Sequence, residues 1–171
     1  MATTLSTTAR VSLGWNFTNT TSFGADTGNS GSFDFSDVLT NGTATDQADR
    51  LYLTKATIAG GSNVEIDLAG ELEDVFGNTI TFARVKSMYV ELTTDTTSTS
   101  IEVGGAASNA FVGPFGADDN TIEVKNGGVF FYFFPGQGHA VTAGTGDLLL
   151  LTNNDSTNTA TYRLGIVGTS A

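Results

Sequence analysis

The sequence predicts an all-β protein, an antiparallel β-sandwich of jelly-roll type with long polar loops, formed as one domain over residues 1–171. Two observations lead there. Apolar residues recur with period two in short runs, and Gly, Asn and Asp cluster between the runs. No long segment of 3.6-residue period separates them, as an α/β fold would require. A trimeric β-prism or another sandwich topology fits the same pattern.

Composition narrows the class further. Hydrophobic residues make up 39% of the chain, too many for disorder, while charged residues make up only 15%, below the roughly 25% usual for soluble domains. The surface is therefore expected to be mostly Thr, Ser, Asn and Gly, as in extracellular or virion proteins rich in strands and turns. Eighteen acids against seven bases give a formal charge of −11, which opposes a phosphate backbone, so neither nucleic acid nor an anionic membrane is an expected partner. There is no cysteine, so disulfides and thiolate chemistry are excluded and stability is left to packing or oligomerisation. The opening MATTLSTTARVSLGW lacks the basic and apolar regions of a signal peptide, and no apolar stretch approaches the ~20 residues of a membrane span. Synthesis in a host cytoplasm is expected.

In chain order, Val11, Leu13, Trp15 and Phe17 alternate with Arg10, Ser12 and Asn16 as a first strand, preceded by a flexible amino-terminal segment. A polar loop near 18–32 then makes an excursion toward a neighbour. Phe33 and Phe35, with Val38 after them, resume the apolar pattern, and Thr45 or Asp46 is placed to cap a short helical turn. Residues 51–56 and 64–68 form strands about the Gly60-Gly61 turn, read as a hairpin. Beyond a turn at Gly77-Asn78, continuous alternation would set Arg84 and Lys86 among apolar residues, which implies a bulge or two strands. Short strands are expected at 101–103, 110–115, 121–124, 129–134, 140–142, 147–152 and 161–168.

The run from Val129 to Phe134 is apolar at every position, so both of its faces must be covered. Val129, Phe131 and Phe133 face one way; Phe130, Tyr132 and Phe134 face the other. One set fills the core, and the other takes a loop of the same chain or another subunit. Phe130, Tyr132 and Phe134 are the expected subunit interface.

No catalytic, cofactor or metal site is expected, and the protein is read as not an enzyme. His139 is the sole imidazole, insufficient for a His-rich metal site or a paired relay, and no nucleophile elbow surrounds any serine. Glu71, Glu73 and Asp74, and Asp118 with Asp119 and Asn120, are the carboxylate clusters to weigh for calcium or glycoside chemistry, although tight turns favour the same residues. Glu65 and Asp67 read as the wet face of a strand. Gly144-Thr145-Gly146-Asp147 lacks the Lys and helix of a phosphate loop.

The stretches DLAGELEDVFGNTITFARVK (67–86), VGGAASNAFVGPFG (103–116), KNGGVF (125–130), VTAGTGDLLLLTN (141–153) and TYRLGIVGTSA (161–171) resemble a group of small proteins encoded in the structural-gene region of tailed phages and prophages, the capsid cement or decoration proteins. The resemblance covers roughly the last 100 residues. It implies a virion protein on the capsid exterior, commonly a homotrimer, that binds the major capsid protein and clamps neighbouring subunits. It brings no catalytic residues. Another virion part, in the tail or at the head-tail joint, is the second expectation, and a carbohydrate-binding β-sandwich the third.

Overall fold

The computed structural model describes residues 4–20, 24, 26–70, 72–94 and 99–171. Fourteen strands are joined by turns, with one short 3-10 turn at Gly113–Phe115 and no α-helix among the described residues. Strands β1 (Thr7–Thr20) and β2 (Asp26–Asn41) form a long antiparallel ribbon. The two-residue strand β3 (Gln47–Ala48) adds in parallel at the foot of β2. After them come β4 (Arg50–Ile58), β5 (Asn63–Asp67), β6 (Leu72–Glu73), β7 (Thr79–Ile80), β8 (Arg84–Leu92), β9 (Ser100–Gly104), β10 (Thr121–Lys125), β11 (Val129–Phe133), β12 (His139–Ala140), β13 (Leu148–Asn153) and β14 (Ala160–Thr169).

Two antiparallel sheets make the body. One runs β10-β9-β13-β5 and the other β11-β8-β14-β4, with β12 continuing the β11 side of β8. Alternation sends Ile66, Ile101, Val103, Val124, Leu149 and Leu151 inward from the first sheet. Met88, Val90, Leu92, Tyr162, Leu164 and Ile166 come inward from the second, and all of them join one buried cluster. Fully burying an aliphatic side chain of this size contributes about 1.5–3 kcal/mol, so this layer is the main source of stability.

Residues 51–68 do not form the expected hairpin. Strand β4 pairs with β14 and β5 pairs with β13, so the Gly60-Gly61 turn carries the chain from one sheet to the other. Local alternation is identical for a hairpin and for a corner, and here packing decides. At Gly60 a Cβ would stand 2.8 Å from the Thr157 backbone, a closeness only glycine permits. Buried Asn153 holds this corner. Its amide Nδ2 donates to the carbonyls of Ile58, Ala59 and Asn158 at 3.1, 3.2 and 2.8 Å, and its Oδ1 accepts from the Asp155 N–H at 3.0 Å.

Three further segments differ from expectation. Residues 42–46 form a turn leading into β3, not a helical turn, since Gln47 and Ala48 take backbone partners on β2. In 110–115 only Ala110 makes a bridge before the 3-10 turn. Most of the polar stretch 18–32 is strand: Thr18–Thr20 end β1 and residues 26–32 begin β2. Residues 1–3 of the expected flexible amino-terminal segment, residues 21–23 and 25 of the polar loop, and residues 95–98 of the polar turn after β8 lie outside the described residues.

Both alternatives posed by Arg84 and Lys86 occur. Strand β7 is separate from β8, and the β8–β14 register shifts between Val167 and Gly168. Lys86, 1% exposed, buries its stem and donates from Nζ to the Ala44 carbonyl at 2.6 Å. At the bulge a Cβ on Gly168 would lie 2.0 Å from the Arg84 carbonyl oxygen and 2.8 Å from the Phe82 ring. Gly168→Ala should therefore cost about 2 kcal/mol by overpacking, read as a melting temperature roughly 4–8 °C lower in a chain of this size.

Candidate interaction surface

The β1–β2 ribbon stands out from the body as an arm. Cross-strand partners share a face, so the register places Val11 beside Phe35, Leu13 beside Phe33, and Trp15 beside Gly31, with Phe17 on the same side. The opposite face carries Arg10, Ser12, Asn16, Ser30, Ser32 and Asp34. The arm is thus amphipathic, yet its apolar face is open: Phe17 is 74% exposed, Phe33 72% and Leu13 63%. The Trp15 and Phe33 rings lie 5.1 Å apart. The indole also lies across Gly31, where a Cβ would come within 2.6 Å of it, while its Nε1 donates to Asn29 Oδ1 at 2.6 Å. On the polar face Asp34 accepts from the Ser12 and Ser32 hydroxyls, which hold its carboxyl below the usual range.

The arm is anchored at its foot. Leu39 is fully buried with Ala48 and Val167, and Leu5, Leu51 and Phe133 pack around them. Phe35 meets Phe133 edge-on at 5.6 Å.

Beside the foot lies a trough of about 510 Å³ on the outer face of the β11-β8-β14-β4 sheet. Leu51, Leu53, Tyr89 and Phe131 make its apolar walls, and Thr7 to Ala9 close the arm end. Gly165 is its floor: it sits opposite Leu53 on one strand and Tyr89 on the other, and the tip of Leu53 leans over it, 3.2 Å from where a Cβ would stand. Arg163 stands opposite both Lys55 and Glu91 and pairs with Glu91 at 3.2 Å. Two of the seven bases of this acidic chain therefore rim the trough.

The aromatic run divides as the alternation requires. Phe130 and Tyr132 sit opposite Val90 and Met88 and pack against the core, whereas Phe131 and Phe133 turn outward opposite Tyr89 and Ser87. Of Phe130, Tyr132 and Phe134, only Phe134 is exposed, at 46%, and it stacks on His139. Tyr132 makes a close hydroxyl contact with His139 Nε2, and burial holds that imidazole below its ordinary pKa. The outer cover of the run is partly the chain's own arm, through Phe35 on Phe133.

Of the carboxylates singled out in the sequence, Asp74 and Asp67 hold turns, Asp118 and Asp119 lie in one, and Glu65 and Glu73 lie on strands β5 and β6. Asp74 accepts from the N–H groups of Phe76 and Asn78 and from the Asn78 amide, closing the β6–β7 hairpin. Asp67 accepts from Ala69 N, and Asn120 donates to the Phe115 carbonyl. Glu71 lies outside the described residues, and among the described residues no group of three metal-ligating side chains occurs. Residues 144–147 close on themselves, with Asp147 accepting from Gly144 N at 2.6 Å. No protein-family model matches the chain, and comparison with curated proteins gives no match.

The full extent of the arm escaped the sequence reading. Its signal is a mirror: Val11-Leu13 and Phe33-Phe35 alternate symmetrically about a tip of Thr, Asn and Gly. Two stability predictions follow from the site. Phe130→Ser should cost about 2–3 kcal/mol in chemical denaturation because it opens the core, while Phe131→Ser should cost about 1 kcal/mol or less. Stability should also fall in two steps on acidification. The first begins near 6.5, where the unfolded chain protonates His139 before the folded chain does. The second begins near 3.8, where Asp155 and Asp74, held low chiefly by hydrogen bonds involving Asn158 and Asn78, start to lose their contribution. Melting temperatures between pH 8 and 2 check both, and His139→Gln should remove the upper step.

Proposed function

We propose that the protein is a structural, non-enzymatic assembly protein that decorates the outside of a tailed-phage head, binding the major capsid protein and stabilising contacts between capsid subunits. The arm carries this reading. An isolated two-stranded ribbon is marginally stable in water, and one whose apolar face is open makes physical sense as a part that is covered on assembly. The sequence resemblance supplies the capsid as the setting, and a homotrimer on the virion exterior is the expected form. The acidic, polar remainder of the surface suits solubility before assembly. The strand orders β5-β13-β9-β10 and β4-β14-β8-β11 support reading the body as a jelly roll, a fold in which eight strands make two Greek keys.

A place in the tail or at the head-tail joint would use the same arm, and the particle to which the protein binds separates the readings. Co-sedimentation with expanded capsid shells is the test. The unaltered chain should bind, and the double variant Leu13→Ser/Phe33→Ser should lose tenfold or more in affinity, as expected when two central apolar anchors are removed. Its melting temperature should stay within about 3 °C, because neither side chain enters the body core. Native mass spectra showing only monomers, together with no shell binding, would sink the proposal.

A further inference from the structure

We infer that the apolar face of the arm is seated in the outer-sheet trough of a second copy of the chain, so that each copy donates one arm and accepts one. This deepens the assembly reading above and rests on it for its setting.

The two surfaces match in chemistry and in number. On the arm, Val11, Leu13, Trp15, Phe17, Phe33 and Phe35 present one apolar face and are 37% to 74% exposed. Together they offer roughly 700 Å², close to the ~800 Å² each partner contributes to a stable protein–protein interface. On the body, the trough has apolar walls and a glycine floor, with Leu53 52% exposed. A glycine between two large cross-strand neighbours lets another chain approach the sheet closely, and the exposed tip of Leu53 beside it is an apolar surface for an aromatic side chain from a facing ribbon.

Continuity argues the same way. The apolar arm face runs through Phe35 and Phe133 into the trough wall at Phe131, so the two surfaces meet at the foot as one re-entrant corner. Packing of arm against arm would cover the ribbons and leave the trough open. Exchange of arm into trough covers both.

Charge favours a copy of this chain over a membrane or nucleic acid. Lys55 and Arg163 at the trough rim face a chain that is otherwise acidic, and the seated face of the arm carries Asp37, the cross-strand partner of Ala9. A net charge of −11 repels anionic lipid and phosphate. Reach is sufficient, since the fourteen residues of β1 extend about 45 Å. One donor and one acceptor per chain make a head-to-tail contact, which closes into a ring where the rotation permits.

The cysteine-free chain makes the test direct. Single variants Leu13→Cys, Phe17→Cys and Phe33→Cys on the arm are each mixed with Leu53→Cys or Phe131→Cys on the trough, one partner carrying a mass tag, and the mixtures are oxidised. Intermolecular disulfides between arm and trough variants are expected in at least one pairing, along with a concentration-dependent oligomer in the unaltered chain. Gly165→Val, which fills the floor, should shift that oligomer toward monomer while the folded near-ultraviolet spectrum is kept. Disulfides found only between arm variants, monomers at every concentration, or an oligomer indifferent to Gly165→Val in a folded protein would each overturn the exchange. Shell co-sedimentation of the same proteins separates this from the function. Shell binding by a monomer, lost in Leu13→Ser/Phe33→Ser, keeps the decoration role and ends the exchange; cross-linked oligomers that bind no shell keep the exchange and end the decoration role.

Discussion

A ribbon of two strands has two faces and no interior. Whatever apolar surface it carries can be hidden only by something outside it, and this constraint governs the amino-terminal quarter of the molecule. The body solves its own version by stacking two sheets, so that inward residues such as Met88, Leu151 and Ile166 cover one another. The arm has only its foot, where Leu39, Ala48 and Val167 form a second small core. From Leu13 to Phe17 the apolar side chains meet water. The two parts thus differ in kind: the body buries its apolar faces within itself, and the ribbon leaves its own open.

Strand β11 shows how close the two problems lie. Its uninterrupted apolar run puts apolar side chains on both faces, yet Val129 is still 52% exposed. The inner face is taken up by the core through Phe130 and Tyr132, and the outer one in part by Phe35 reaching down from the arm. The same outer face continues across Phe131 into the trough. A single strand thus connects core, arm foot and trough, and Phe131 and Phe133 are the residues through which the surfaces become continuous.

Much of the fold was legible in the sequence because strand alternation is local. Residues 121–124, 129–134 and 161–168 all fall on strands near their expected bounds, since in each the pattern of apolar side chains agrees with the turn residues that flank it. What was not legible depended on partners far away in the chain. The Gly60-Gly61 corner reads as a hairpin until Asn153, some ninety residues on, is known to grip the Ile58 and Ala59 carbonyls. Residues 26–32 have a loop's composition and become strand because β1 offers them a complete ladder, with Trp15 supplying the cover that Gly31 lacks. Tertiary pairing overrode propensity there. For the candidate surface, the alternation within β11 was legible but not which set turns outward: Phe130, Tyr132 and Phe134 were the expected set, and the register with β8 sends Phe130 and Tyr132 to the core and Phe131 and Phe133 outward.

The foot of the arm also decides how the molecule would bear tension. Leu39 packs on Val167, which belongs to β14, a strand bonded to β4 on one side and β8 on the other. A pull on the arm is therefore delivered to a central strand flanked by two ladders, rather than to a sheet edge that could be unzipped one bond at a time. The Leu39–Val167 contact ties the arm to the middle of the sheet, where load is shared between two neighbours, and not to its margin.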